Sequence, residues 1–476
     1  MSIACRVAGA QFTTAHGVQS RRNIIVDEGG DVFVWGNMKN KGYPTIDRPR
    51  HNDIAVKLNN LPKILMVSCS DDTSALVGED GSLWTWSLNF GSGHRLITCV
   101  PTLVPRQVFN APIVMVACGA SHTLALSAQG HVFTCGEGWY GQLGHGTKLN
   151  MREFCLVPNL THVGPGKCIM VAAGEMHSVV LHESGTMWTF GKGGLGALGL
   201  LNYLDAVSPQ RVLPFCAAGQ HVEMVAAGGA HTAVVTSAGV LWTWGSGVFG
   251  QLGVPRVFHT SMDKCVPQLV RMPQCPGTEL TNRVMSVSCG AFHTLILKQN
   301  GSLWGCGQNT NDELSPLVSI TGYAPEQDYV FTPRLLDLTP YARKFTSIFA
   351  TFRGSSAVDE FGRLWQWGSG LTGGGPDVHP NNGMPRMGRF PLRIGRCHEP
   401  EYARTEALCM GAMDRLAIRD QPPHCAMRNG FDQQDLFRTI TSLCISWPQG
   451  EAGDRLRSMP GLMRWIGAYL VRHSRF

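Results

Sequence analysis

An all-β chain built from repeated four-stranded units is the fold class that the sequence predicts, and three observations carry it. A Gly-x-x-His segment recurs, a glycine-centred hairpin pattern recurs more often still, and the copies follow one another at about 50 residues, the length that four short strands and their turns require.

The first signal is four segments on one template: VACGASHTLAL at 116–126, VAAGEMHSVVL at 171–181, VAAGGAHTAVV at 225–235 and VSCGAFHTLIL at 287–297. Their Gly-x-x-His elements are Gly119 to His122, Gly174 to His177, Gly228 to His231 and Gly290 to His293, each read as the turn that opens a hairpin. The second half of the unit recurs seven times, with turn glycines Gly30, Gly81, Gly130, Gly185, Gly239, Gly301 and Gly362. An aromatic column follows at Phe33, Trp84, Phe133, Trp188, Trp242, Trp304 and Trp365, always preceded by an aliphatic residue. Two residues on, and so on the same strand face, comes a second column: Trp35, Trp86, Cys135, Phe190, Trp244, Cys306 and Trp367. Both columns read as packing against an adjacent sheet. Units end at 36, 87, 136, 191, 245, 307 and 368, giving steps of 51, 49, 55, 54, 62 and 61 residues. The turn glycine supplies the positive φ of a tight hairpin. Four-stranded units that each need a neighbour to cover them make a seven-bladed β-propeller. The segment LCMGAMDRLAI at 408–418 matches only the first half of the template and Asp31–Gly36 only the second, so pairing of C- and N-terminal strands is expected to close the ring. Residues 1–30 then form a lead-in, 31–420 the propeller and 421–476 a tail.

Composition narrows the class of function. Of 476 residues, 43% are hydrophobic and 16% charged, a globular balance that excludes wholesale disorder. No run approaches the roughly 18 apolar residues of a membrane-spanning helix. A net charge of +6 is too mild to mark a dedicated nucleic-acid binder. The 16 cysteines are scattered without a C-x-x-C pair, which reads as reduced thiols of an intracellular protein, in cytoplasm or nucleus. Residues 1–26 lack acidic side chains and carry Arg6, Arg21 and Arg22, compatible with organelle import; the fit of Asn23–Val26 to the repeat favours an ordered lead-in.

No convergent reactive set stands out, so the expectation is a non-enzymatic protein without metal or cofactor. The four histidines sit in separate units and read as structural, each bonding backbone between neighbouring blades. Gly191-Lys192-Gly193-Gly194 lacks the spacing and ending of a phosphate loop. Specificity is expected on loops. Residues 308–347 carry Asp312, Glu313, Glu326 and Asp328, an acidic-leaning surface. Residues 369–407 carry Arg386, Arg389, Arg393, Arg396 and Arg404, spaced to meet phosphates or an acidic protein face; the plainer reading is a solvated basic loop anchored by Met384, Met387 and Phe390. Arg48, Arg50 and Lys57 form a weaker basic cluster. In the tail, Leu436, Ile440, Leu443 and Trp447, then Leu462, Ile466, Tyr469 and Leu470, recur at helical spacing.

These repeats resemble the regulator of chromosome condensation repeat family, whose signature joins a small-residue pair, glycine, two residues, histidine, Ser/Thr and aliphatics. The resemblance covers 31–420 and departs from the pattern where Arg22, Thr73, Gly354 and Asp414 replace the histidine, and where Gln19, Ser70 and Thr351 replace the glycine. It implies a protein-interaction scaffold or, from the founding member, guanine-nucleotide exchange on a Ran-like small GTPase with chromatin association. Exchange there uses an inserted wedge with no counterpart located in this chain. A photoreceptor branch of the family relies on a Gly-Trp-Arg-His-Thr motif; the nearest stretch, Gly-Ala-Phe-His-Thr at 290–294, lacks its tryptophan and arginine, and nine of the twelve tryptophans fall in the repeat columns.

Overall fold

A computed structural model describes residues from Thr13 to Ile394, except 18–21, 28, 37–51, 71–72, 88–89, 95–99, 161–165, 214–220, 257–260, 274–282, 315–327, 337–343, 352, 363 and 369–391. The chain divides into two compact units, Met1–Arg396 and Cys397–Phe476. All described residues belong to the first unit, so the tail, its helical stripes and the 408–418 segment lie outside them.

The described residues form an all-β propeller of seven four-stranded antiparallel sheets, each ordered as in the sequence. Sheet 1 comprises Thr13–Gly17, Arg22–Val26, Val32–Gly36 and Asn52–Lys57; sheet 2, Ile64–Cys69, Thr73–Gly78, Leu83–Ser87 and Thr102–Leu103. Sheet 3 comprises Ile113–Cys118, His122–Ser127, Val132–Gly136 and Met151–Leu156; sheet 4, Cys168–Ala173, His177–His182, Met187–Gly191 and Ala206–Arg211. Sheet 5 comprises Val222–Ala227, His231–Thr236, Leu241–Gly245 and Lys264–Leu269; sheet 6, Val284–Cys289, His293–Lys298, Leu303–Gln308 and Tyr329–Leu335. Sheet 7 comprises Phe345–Ala350, Gly354–Asp359, Leu364–Gly368 and Leu392–Ile394.

The hairpin at the centre of each sheet follows from the turn glycine. All seven turn glycines take φ between +73° and +84°, a region that costs an L side chain energy. At Gly81 a side chain is barred twice over, since a Cβ would also lie 2.3 Å from Cβ of Pro112 at the start of sheet 3. In sheets 2 to 7 the first strand packs on the first and second strands of the preceding sheet, so first strands line the inside and fourth strands the rim. Rim strands expose an unpaired edge, and in sheets 4, 5 and 6 that edge carries Pro209, Pro267 and Pro333, which offer no N–H to a passing chain. The core lies between sheets: Leu124 and Val132 of sheet 3 pack with Met170 and Val179 of sheet 4 and Val225 of sheet 5. Trp86, Cys135, Phe190, Trp244, Cys306 and Trp367 of the second column are all buried in these layers.

Two expectations change. The strand Val32–Gly36 has Arg22–Val26 on one side and Asn52–Lys57 on the other, so both its edges are filled by N-terminal chain. No C-terminal strand pairs with it. The degenerate residues before Asp31, which lack glycine and histidine at the template positions, nonetheless complete sheet 1, because register and backbone pairing do not require the template side chains. In the basic stretch, Arg393 lies within a rim strand opposite Trp365 rather than in a loop.

Candidate interaction face

The histidines define how one sheet grips the next. His122 Nε2 lies 3.0 Å from Ser178 Oγ, His177 Nε2 3.0 Å from Thr232 Oγ1, His231 Nε2 2.9 Å from Thr294 Oγ1 and His293 Nε2 3.0 Å from Ser355 Oγ. Each partner belongs to the following sheet. The hydroxyls in turn donate to carbonyls in the loop of the sheet that precedes their own: Ser178 to Gln142, Thr232 to Ala197, Thr294 to Gln251 and Ser355 to Glu313. A hydroxyl proton committed to a carbonyl leaves only lone pairs for the ring, so the imidazole donates from Nε2. Burial depresses the ring pKa to about 3 at His122 and His231 and to about 4 at His177 and His293. The histidines thus bond hydroxyls of the following sheet, which relay the bond to backbone, and at His122 and His293 the backbone of that sheet (His177, Gly354) is engaged as well. Gly119 and its equivalents are glycines because of this ring: a Cβ at Gly119 would lie 2.3 Å from His122 Cε1 and 2.5 Å from the Gly174 carbonyl oxygen.

The same carbonyls receive a second donor from the second column. Trp244 Nε1 donates to Ala197 O and Trp367 Nε1 to Glu313 O, each at 2.9 Å. Cys306 Sγ meets Gln251 O, and in sheet 3 Cys135 Sγ and Thr123 Oγ1 both meet Gly91 O. Cysteine in an otherwise aromatic column is thus explained by a weak S–H donor filling a tryptophan N–H position.

These bonds fix the loops that run from third to fourth strand. In sheets 3, 4 and 5 the loops carry glycines at three-residue spacing, Gly138, Gly141 and Gly144; Gly193, Gly196 and Gly199; Gly247, Gly250 and Gly253. The last of each triplet lies against the second column of the following sheet, on Phe190, Trp244 and Cys306. This triplet is a sequence signal that inspection of the hairpins alone overlooks. The seated loops project apolar side chains: Trp139 is 63% exposed, Leu149 65% and Leu204 73%. Lys148 Nζ bridges Asp205 Oδ2 at 2.8 Å, an ion pair that links the loops of sheets 3 and 4. Tyr203 Oη donates to Asp263 O of the next loop at 3.2 Å, and Phe249 stacks near Tyr329 at 5.5 Å. Exposed apolar side chains thus stand on the loops of sheets 3 and 4, and Val248 on the sheet 5 loop is 51% exposed.

Other sequence-predicted sites are distributed differently. Arg386, Arg389, Arg396 and Arg404 lie outside the described residues, as do Arg48, Arg50 and Glu326; Lys57 is exposed and bridges Asp31 at 2.6 Å. Glu313, expected on an acidic surface, is instead 1% exposed. Among the described residues no group of three or more His, Cys, Asp or Glu could hold a metal ion, and no helix is long and apolar enough to cross a membrane.

Comparison with known proteins agrees with this architecture. The regulator of chromosome condensation (RCC1) repeat model matches residues 129–181, 184–235 and 238–297, and a second model of the same repeat matches 113–142, 224–251 and 284–313. The chain is 30% identical to the ultraviolet-B receptor UVR8 of Arabidopsis thaliana over 325 residues, 66% of each protein. It is 28% identical to the mitochondrial RCC1 domain-containing protein RUG3 of the same plant, over 58% of this chain and 62% of RUG3. With the human probable E3 ubiquitin-protein ligase HERC3 it shares 35% identity over 43% of this chain but 19% of that protein. The chain thus spans about two thirds or less of these relatives. Among solved structures, human WBSCR16 superposes with a TM-score of 0.62 at 21% identity, over 78% of this chain and 96% of that one. Prp20p of Saccharomyces cerevisiae, described with its binding to Gsp1p and histones, gives 0.59 at 19% identity, over 73% and 81%. At such identities the structural likeness speaks for the fold alone. Repeat signature, sheet order and histidine clasps together place the chain in the regulator of chromosome condensation (RCC1) repeat family.

Proposed function

We propose that this chain is a non-enzymatic protein-interaction scaffold, each of its seven sheets acting as one blade, that receives a protein partner on the third-to-fourth-strand loops of sheets 3 to 5. The observation that carries the reading is the exposure of Trp139, Leu149 and Leu204 on loops whose backbones are clamped from the next sheet. Large apolar side chains gathered on one surface and rimmed by polar groups mark a contact site, and a clamped backbone lowers the ordering cost of binding. Photo-crosslinking groups at positions 149 and 204 should capture partner protein, while one at Phe361, exposed on a second-to-third-strand turn at the opposite ends of the strands, should not. Equal capture at 361, or none at 149 and 204, overturns the assignment.

Nucleotide exchange on a Ran-like GTPase is the second reading, prompted by the family and by the description of Prp20p. It predicts accelerated nucleotide release from such a GTPase at micromolar protein, and a flat release curve eliminates it. The associated chromatin contact would use Arg386, Arg389, Arg393, Arg396 and Arg404; charge reversal of Arg386 and Arg389 should abolish nucleosome binding if that contact exists. An intracellular location is part of the proposal, and the mitochondrial label of RUG3 makes organelle import of the acid-free first 26 residues the compartment test to run first.

A further inference from the structure

The loops of sheets 3 and 5 place Gln142 and Gln251 beneath the next sheet, each accepting through Oε1 the N–H two residues earlier, on Tyr140 and Phe249, at 2.9 Å. In sheet 6 the corresponding residue is Glu313, equally buried. Its Oε2 accepts Asn311 N and its Oε1 accepts Asn311 Nδ2, both at 2.8 Å. Asn311 stands where the loops of sheets 3 and 5 have an aromatic residue, so the change to a carboxylate is matched by an added donor. The main chain of Glu313 simultaneously holds sheet 7, accepting Ser355 Oγ at 2.6 Å and Trp367 Nε1 at 2.9 Å.

Among the described residues, the charged and titratable groups around the carboxyl are few. From sheet 7 Arg353 contributes an attractive charge; from the loop itself come Asn311 and the neighbouring Asp312; and His293, reached through Ser355, is held neutral. Desolvation outweighs the Asn311 bonds and the Arg353 charge, and raises the carboxyl above its usual 4.5.

We infer that the joint between sheets 6 and 7 is pH-responsive, with Glu313 as its latch: the neutral carboxyl occupies the position glutamine fills elsewhere and holds sheet 7 firmly, and ionisation loosens that sheet. A raised carboxyl favours the folded joint when protonated, so the latch is tightest below pH 4.5 and weakens as pH rises through the raised value. The loop belongs to the same class as those forming the proposed contact face, yet the latch does not depend on that face binding anything.

Amide hydrogen exchange on the full chain between pH 5 and 8, corrected for intrinsic rate, tests this. Amides of Gly354–Asp359 should lose protection progressively as pH rises across the range, while those of His231–Thr236 hold constant. The double variant Asn311→Phe, Glu313→Gln, which rebuilds the sheet 5 loop, should flatten the response; Arg353→Met, removing the compensating charge, should enlarge it. An equal response in wild type and double variant, or none in wild type, overturns the inference. Should the double variant fail to fold, Glu313→Gln alone and Arg353→Met decide by the same criteria.

Discussion

Sheets 3 to 7 and sheets 1 to 3 are stacked by the same geometry but joined differently. From sheet 3 onward every joint has a buried histidine donating to a hydroxyl of the next sheet. Between sheets 2 and 3 the position belongs to Thr73, whose Oγ1 pairs with Ser87 Oγ of its own sheet at 2.9 Å. That joint is held instead by Thr123 donating to Gly91 O and by Cys118 N donating to Ser68 Oγ. The hydroxyl-to-carbonyl bond is thus common to both regions, and the histidine is an addition that fills space and orients the hydroxyl. Clasped joints should be stronger, and they should also fail first in acid.

Acidification should produce the largest contrast. Each clasp histidine has a folded pKa below the ordinary 6.5, so the stability it reports is complete above pH 6.5 and is lost as pH falls toward the folded values of about 3 to 4. Every pH unit in that window removes about 1.4 kcal/mol per histidine. Urea titrations at stepped pH should show this slope, and His231→Gln should reduce it by about a quarter; an unchanged slope would contradict the clasp chemistry. His231→Ala at neutral pH leaves a void and an unmet hydroxyl acceptor, for an expected loss of about 4 kcal/mol. Thr73→Ala should cost about 1 kcal/mol by the same measurement.

Gly228→Ala should cost about 3 kcal/mol, between His231→Ala and Thr73→Ala. Its Cβ would lie 2.3 Å from His231 Cε1 and 2.4 Å from Gly290 O, and backbone on one side leaves no room to yield. A stable Gly228→Ala variant would mean that the sheets separate more easily than their packing indicates. The smallest effect is a gain. Ser70→Gly with Thr73→His would rebuild the missing clasp against Thr123, whose hydroxyl already points at Gly91 O, and should add about 1 kcal/mol.

Much of this architecture is readable in the residues because it rests on local rules. A hairpin turn needs positive φ, and glycine appears at all seven places where it is met. Strand alternation sends both columns to one face, and their described side chains are buried or half-buried. The histidines are recognisable as structural because they repeat, though their hydroxyl partners, some 55 to 63 residues away, belong to the next repeat. The contact face is less legible, since Trp139, Leu149 and Leu204 are ordinary apolar residues until loop geometry leaves them uncovered.

The sequence by itself determined the repeat, its hairpins, its turn glycines and the side chains given over to packing, because each depends on a few neighbours along the chain. Only the tertiary structure decided that sheet 1 is completed by residues before Asp31, that Glu313 is buried at a joint rather than displayed, and that Trp139, Leu149 and Leu204 are left uncovered on their loops. Those outcomes depend on which sheet lies alongside. Burial and partnering across a joint are properties of two distant segments at once, and neither segment carries them alone.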